Sequence, residues 1–151
     1  AHSDHMRDFA TYDNPGGVVR AVCDELSARV DAVLAAGVPP ERLVLDPGLG
    51  FAKRGEHNWQ LLTDLDPLKA LGFPLLVGAS RKSFLGALLA GPDGRPRPVD
   101  GREAATTALS VVLAGEGVWG LRVHDVRSTR DALGVLDALD AAREEEGGHH
   151  G

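Results

Sequence analysis

Cysteine is almost missing from this chain: Cys23 is the one thiol in 151 residues. No internal disulfide can form, which suits a reducing compartment and leads us to expect a cytoplasmic protein. Aromatic residues are sparse at 5%, yet 43% of the chain is hydrophobic, enough to fill the core of one domain. No apolar run approaches the ~20 residues of a membrane span, so no membrane partner is expected. Cations are outnumbered, 16 Lys and Arg against 22 Asp and Glu, for a net charge of -6. That balance disfavours general nucleic-acid binding. The opening "AHSDHMRDFATYDN" is polar and aperiodic, with no visible signal peptide. The paired carboxylates of a glycosidase, a nucleophile elbow and His/Cys clusters at metal-ligand spacing are all absent as sequence patterns.

What is present alternates between helix and strand. Residues 1–16 read as a loop closing on the turn residues Asn14-Pro15-Gly16. Val18, Val22, Leu26, Val30, Val33 and Leu34 recur at helical spacing up to Ala36, and Gly37 with Pro39-Pro40 stops that helix. The short apolar runs 43–45, 73–80 and 118–123 predict strands. Helices are expected over 57–71, with Pro67 breaking or kinking it, and over 81–90, 102–114 and 128–142. On 102–114 the apolar side reads as Ala104, Ala105, Ala108, Val111 and Val112. The last residues, 143–151, read as a frayed, disordered tail. Continuous apolar strands alternating with helices predict a parallel sheet covered by helices.

In such folds the chemistry collects where strands give way to helices. All three strand ends here carry polar residues. The first ends in Asp46, followed by Pro47, Gly48 and Gly50. A carboxylate there needs partners, and either a planar heterocycle presenting two N–H groups or a nearby Arg or Lys would serve. "GLGFAKRG" is neither a Walker loop nor a dinucleotide fingerprint. Phe51 either stacks on a ligand ring or plugs the loop. The second strand ends in Ser80-Arg81-Lys82-Ser83. Lys82 in the first turn of a helix opposes the macrodipole, so it is either splayed into solvent or held for a ligand. Ser80 or Ser83 would cap that helix. The third ends in Arg122-Val123-His124-Asp125. Side-chain alternation puts Arg122 and His124 on one face, where they form an anion clamp unless Arg122 pairs with an acidic neighbour and His124 caps a helix. Lys53, Lys82, Arg122 and His124 together make a basic mouth on an acidic protein, suited to a small anionic substrate.

"LVLDPGLGFAK", "LLVGASRKSFLG" and "GLRVHDV", with "DGREAATTALSVVLA" between the last two, closely resemble the dihydropteroate synthases, the folate-pathway enzymes inhibited by sulfonamides. The wording is most similar to actinobacterial members. The resemblance implies a fold of α/β class: a partial (β/α)8 TIM barrel of about three parallel strands, the sixth to eighth, with covering helices. It would occupy 17–142, the C-terminal half of a pterin-binding barrel. It further implies that Asp46, Gly78, Lys82 and Arg122 bind the pterin, and that Phe51 and Ser83 face p-aminobenzoate. Arg122 and His124 would hold the diphosphate, with Lys82, Arg122 and His124 carrying catalysis. The family joins 6-hydroxymethyl-7,8-dihydropterin diphosphate to p-aminobenzoate by SN1-like chemistry. Its magnesium ligand is expected from the first half of the barrel, and the complete enzyme is expected to be a homodimer. Three other readings use the same residues: a non-catalytic synthase-like paralogue or half-barrel fragment, a pterin-binding methyltransferase domain of the corrinoid type, and a Schiff-base aldolase built on Lys82. On any half-barrel reading, Val44, Leu76 and Val123 are expected to be uncovered.

Overall fold

The computed structural model describes residues 17–50 and 55–148. The loop expected over 1–16, Phe51 and Lys53, and residues 149–151 of the expected tail lie outside them. Helix α1 spans Gly17–Ala35 and buries Val18, Val22 and Val30. It ends where Gly37 takes a left-handed φ of 97° and two prolines follow. Pro40–Arg42 form a 3-10 turn that delivers the chain to Leu43.

The helix expected over 57–71 divides at Pro67, as its ring requires. Helix α2 covers Gly55–Thr63 and α3 covers Asp66–Lys69, with the proline in the first turn of α3, where its missing N–H leaves nothing unsatisfied. Strand β1 is Leu76–Val77, α4 is Ser83–Leu88, a 3-10 turn covers Val99–Gly101, and α5 runs over Glu103–Gly115. Strand β2 is Gly120–Leu121, and α6 continues over Val126–Gly147.

The apolar runs pair in parallel. Leu76 faces Gly120 and Val77 faces Leu121, while Leu45 pairs with Leu75 on the other side of β1. Regular strand is shorter than the apolar runs, but backbone bonds extend the ladder: Leu45 N–H to the Pro74 carbonyl (2.8 Å), Leu76 N–H to Leu45 (2.8 Å) and Arg122 N–H to Val77 (3.0 Å). The side facing the helices carries Leu45, Leu75, Val77 and Ala79, all buried, in one core with Leu61, Leu68, Leu85 and Leu113. Trp59 meets Phe84 edge-to-face at 5.1 Å, joining α2 to α4. On the opposite side Val44 is 40% exposed and Leu76 is half-buried; Val123, which alternation turns to the helix side, is half-buried too, so of the three residues expected to be uncovered only Val44 is exposed.

Two readings of the sequence need correction. The buried side of α5 is Thr106, Ser110 and Leu113, whereas Ala104, Ala108 and Val112 face outward. The two hydroxyls can be buried because each donates to the carbonyl four residues back, Thr106 to Arg102 and Ser110 to Thr106, both at 2.8 Å. The tail from 143 is not frayed through its length, since α6 holds to Gly147. Its Ala, Arg and Glu residues favour helix, and Arg143 pairs with Asp140 at 2.9 Å.

Candidate functional site

The side of the parallel layer away from the buried core brings the three strand ends together. Alternation from the Leu76–Gly120 pairing places Asp46, Gly78, Ser80, Arg122 and His124 on that side. Arg122 reaches from the β2 end across β1 to the first strand end, where Nη1 donates to Asp46 Oδ2 at 3.1 Å. The path is open because position 78 has no side chain. A Cβ there would lie 2.4 Å from Arg122 Nη2 and 2.9 Å from Cζ. Gly78 is therefore the floor on which the guanidinium rests. Of the two partners foreseen for Asp46, an arginine is the one the free chain supplies, and its other oxygen, Oδ1, accepts the Gly48 N–H at 2.8 Å. The pair is only partly covered, with side chains 56% and 35% exposed for Arg122 and Asp46, so a ligand can reach both.

His124 is not a helix cap. The cap of α6 is Asp125, which accepts from the Ser128 N–H at 3.0 Å and its hydroxyl at 2.8 Å. Those bonds, the backbone one foremost, lower the Asp125 pKa below 3.8, with Arg81 and Arg127 adding a smaller pull. His124 instead folds onto Ser80. Its Nδ1 lies 2.7 Å from Ser80 Oγ, and that oxygen also accepts the His124 N–H at 3.2 Å. Ser80 is thus spent between strand ends and does not cap α4; nor does Ser83, which is exposed. The residue at the cap position is Lys82, in extended conformation (φ -62°, ψ 152°) and one residue before the helix where the sequence suggested its first turn. The lysine stem lies along the Gly50 turn, with Cδ 3.3 Å from where a Cβ on Gly50 would sit. Gly50 has a φ of 81°, and its N–H is held by the buried Asn58 side chain at 2.8 Å.

Sequence reasoning missed the frame beneath Lys82. Arg81 is the one described non-glycine residue with positive φ, 59°. Three contacts hold it there: its N–H donates to Thr106 Oγ1 (3.1 Å), its carbonyl accepts from Arg102 Nη1 (2.8 Å), and its guanidinium pairs with Glu103. The available signal was a pair of hydroxyl residues one turn apart, Thr106 and Ser110, in a helix otherwise rich in Ala, Val and Leu.

Gly78, Ser80, Arg81, Lys82, Arg122 and His124 line one cavity of about 390 Å³, together with Val99 and Val123. A forked guanidinium, an ammonium and an imidazole around that space can bind an anion and stabilise charge developing on it. Asp46 lies at its border through Arg122. Phe51 is outside the described residues. Among the described residues no three His, Cys, Asp or Glu side chains converge on a point that would hold a metal, and both Asp46 oxygens are engaged, by Gly48 and Arg122; the magnesium ligand is expected from the other half of the barrel.

The family model described as pterin binding enzyme matches residues 1–124. A dihydropteroate synthase of Mycobacterium leprae is 60% identical over 121 residues, covering 80% of this chain and 43% of that protein. The solved dihydropteroate synthase of Xanthomonas albilineans in complex with 7,8-dihydropteroate aligns with a TM-score of 0.75 at 42% identity, over 82% of this chain and 45% of that one. The same organism's enzyme with 4-aminobenzoic acid aligns with a TM-score of 0.78 at 37% identity, over 93% and 48%. The chain thus spans about half the length of the relatives it matches.

Proposed function

The chain belongs to the pterin-binding enzyme family, and from that premise we propose that it is the C-terminal part of a dihydropteroate synthase. The reaction joins 6-hydroxymethyl-7,8-dihydropterin diphosphate to p-aminobenzoate and releases pyrophosphate. The observation that carries the proposal is the convergence of Arg122, His124 and Lys82 on one cavity, with Asp46 held at its border by Arg122.

Asp46 takes the amino group and ring N–H of the pterin, exchanging a guanidinium for a similarly flat pair of donors. Arg122 is thereby released toward the diphosphate, which it shares with His124. As the C–O bond to the diphosphate breaks, negative charge grows on the leaving oxygens and these fixed donors stabilise it. The p-aminobenzoate nitrogen then attacks the pterin carbon through its lone pair and loses a proton. No protein nucleophile is needed, and positioning supplies much of the effect. Lys82 borders both substrates, Gly78 leaves room for Arg122, and Ser83 with Phe51 faces p-aminobenzoate. Bound magnesium would supply further offset of the diphosphate charge, with a protein ligand expected from the other half of the barrel.

The three paired segments are the sixth to eighth strands of that barrel. Two further hollows support this, one of about 190 Å³ beside Val44 and one of about 580 Å³ along the free edge at Leu121 and Val123. The complete enzyme is a cytoplasmic homodimer. Exposed Val112 on α5 and Val135 and Leu139 on α6 support an interface there, and no described helix is long and apolar enough to cross a membrane.

The test is pyrophosphate release that depends on p-aminobenzoate. It is expected to be absent with the 151-residue chain alone and to appear when a first-half barrel fragment is added. Release by the chain alone refutes its incompleteness, and failure with every complementing half refutes the synthase reading. In the complemented enzyme, Arg122→Ala raises KM for the diphosphate substrate more than for p-aminobenzoate, and an equal rise in both refutes the clamp.

A further inference from the structure

Ser80 is 7% exposed and sits between two groups of one residue. A hydroxyl has one proton and two lone pairs. Its oxygen accepts the His124 N–H at 3.2 Å, and the imidazole Nδ1 lies 2.7 Å away. The second contact has two possible polarities. If Nδ1 carries the proton and donates, the serine proton needs another acceptor, and among the described residues no other contact of Ser80 provides one. If the hydroxyl donates to Nδ1, every group is satisfied at once: the backbone N–H is accepted, the serine proton is used, and Nδ1 offers its lone pair. The neutral ring then carries its proton on Nε2. His124 is itself exposed and lines the 390 Å³ cavity next to Arg122.

We infer that Ser80 is the positioning residue for His124: its hydroxyl donates to Nδ1, fixes the ring at the strand end and presents a neutral Nε2–H donor to the cavity beside the Arg122 guanidinium. The two contacts act as a clamp on ring orientation, because both the backbone and the ring of one residue are tied to a single oxygen. What the donor serves rests on the diphosphate reading above; where the proton sits does not.

The decisive measurement is the nitrogen spectrum of His124 in the 151-residue chain, taken at a pH where the ring is neutral. The expected result is a protonated, pyrrole-type Nε2 and a pyridine-type Nδ1 displaced by hydrogen bonding. In Ser80→Ala, Nδ1 moves to the position of a free pyridine-type nitrogen, and Ser80→Thr returns it. A proton on Nδ1 in the wild type, or a random-coil histidine spectrum, overturns the inference without any variant. So does an unchanged Nδ1 in Ser80→Ala. With inorganic pyrophosphate as probe, Ser80→Ala is expected to weaken binding by roughly two- to tenfold, the worth of one hydrogen bond. If Ser80→Ala and Arg122→Ala both leave pyrophosphate affinity intact while the nitrogen spectrum is as expected, the diphosphate reading falls and the Ser80 assignment stands.

Discussion

Replacing Gly78 by alanine separates the anion clamp from the stability of the fold. The backbone at 78 is not left-handed, so an L residue fits the chain itself, and the conflicts are all with the Arg122 guanidinium, 2.4 Å to Nη2 and 2.9 Å to Cζ. The atoms in the way are the far end of a flexible side chain that is 56% exposed, so the guanidinium moves and the strand does not. Stability should change little. A partly exposed ion pair to Asp46 is lost, worth about 0.2–1 kcal/mol. Against it stand one more buried methyl, about 0.8 kcal/mol, and a less flexible unfolded chain, about 0.4–1 kcal/mol. The sum runs from about 0.2 to about 1.6 kcal/mol in favour of the variant. Anion binding should suffer far more, because hydrogen bonds to a charged group are worth about 1.5–3 kcal/mol, or roughly 10- to 150-fold in affinity. Calorimetric titration with inorganic pyrophosphate and urea unfolding of the same sample read the two quantities. Adding Arg122→Ala to Gly78→Ala should then cause no further loss of affinity. An unchanged affinity in Gly78→Ala refutes the clamp, and a fall of several kcal/mol in stability refutes the claim that only Arg122 rests on that glycine.

Other expectations follow from the same geometry. Asp46→Asn frees Arg122 from its ion pair and is expected to raise pyrophosphate affinity by a factor of about two to five, the worth of a partly exposed pair, while abolishing pterin binding. A fall in both affinities refutes the exchange of Arg122 between carboxylate and anion. Thr106→Val keeps the shape of a fully buried side chain but strands the Arg81 N–H, and is expected to lower unfolding stability by about 1–3 kcal/mol in urea titration; a change under half of that would show the αL turn is held by Arg102 and Glu103 alone. The Asp125 carboxyl has a lowered pKa in the folded state, so its cap contributes stability above 3.8 that is lost as pH falls through the lower folded value. Asp125→Ala should therefore depress Tm at neutral pH and converge on wild type in strong acid, and parallel curves would exclude the cap as the cause. The Cys23 thiol is pushed up from 9.0, first by burial and then by Asp24 and Asp64. Alkylation at neutral pH is expected to be slower than for a free thiol and to quicken above that value, and rapid neutral labelling would contradict this.

The legible part of this protein was what one strand or one helix carries by itself. Asp46, the Ser80–Ser83 run and Arg122 with His124 each follow an apolar run, and a parallel layer must bring such ends to one side, so their meeting was readable from order alone. The break at Pro67 was equally local, since a missing N–H and a fixed φ act wherever the residue falls. What was not legible depends on pairs far apart in the chain. The Arg122 partner is 76 residues away and the His124 partner 44; nothing in either stretch says which strand end will lie within its reach. The buried side of α5 was misread for a related reason. Thr106 and Ser110 count as polar in any hydropathy pattern, but each satisfies its hydroxyl on its own helix and so behaves as a small apolar residue toward the core. Thr106 then has a lone pair left for the Arg81 N–H, which is what lets a non-glycine residue hold a φ of 59° directly before Lys82. Gly78 makes the same point from the other side. Read alone it is a flexible position in an apolar run, yet its lack of a side chain is what allows a cation from β2 to cross β1 and reach a carboxylate on the far strand. The chemistry at this site is set as much by the residue that is absent from the floor as by the charged residues above it.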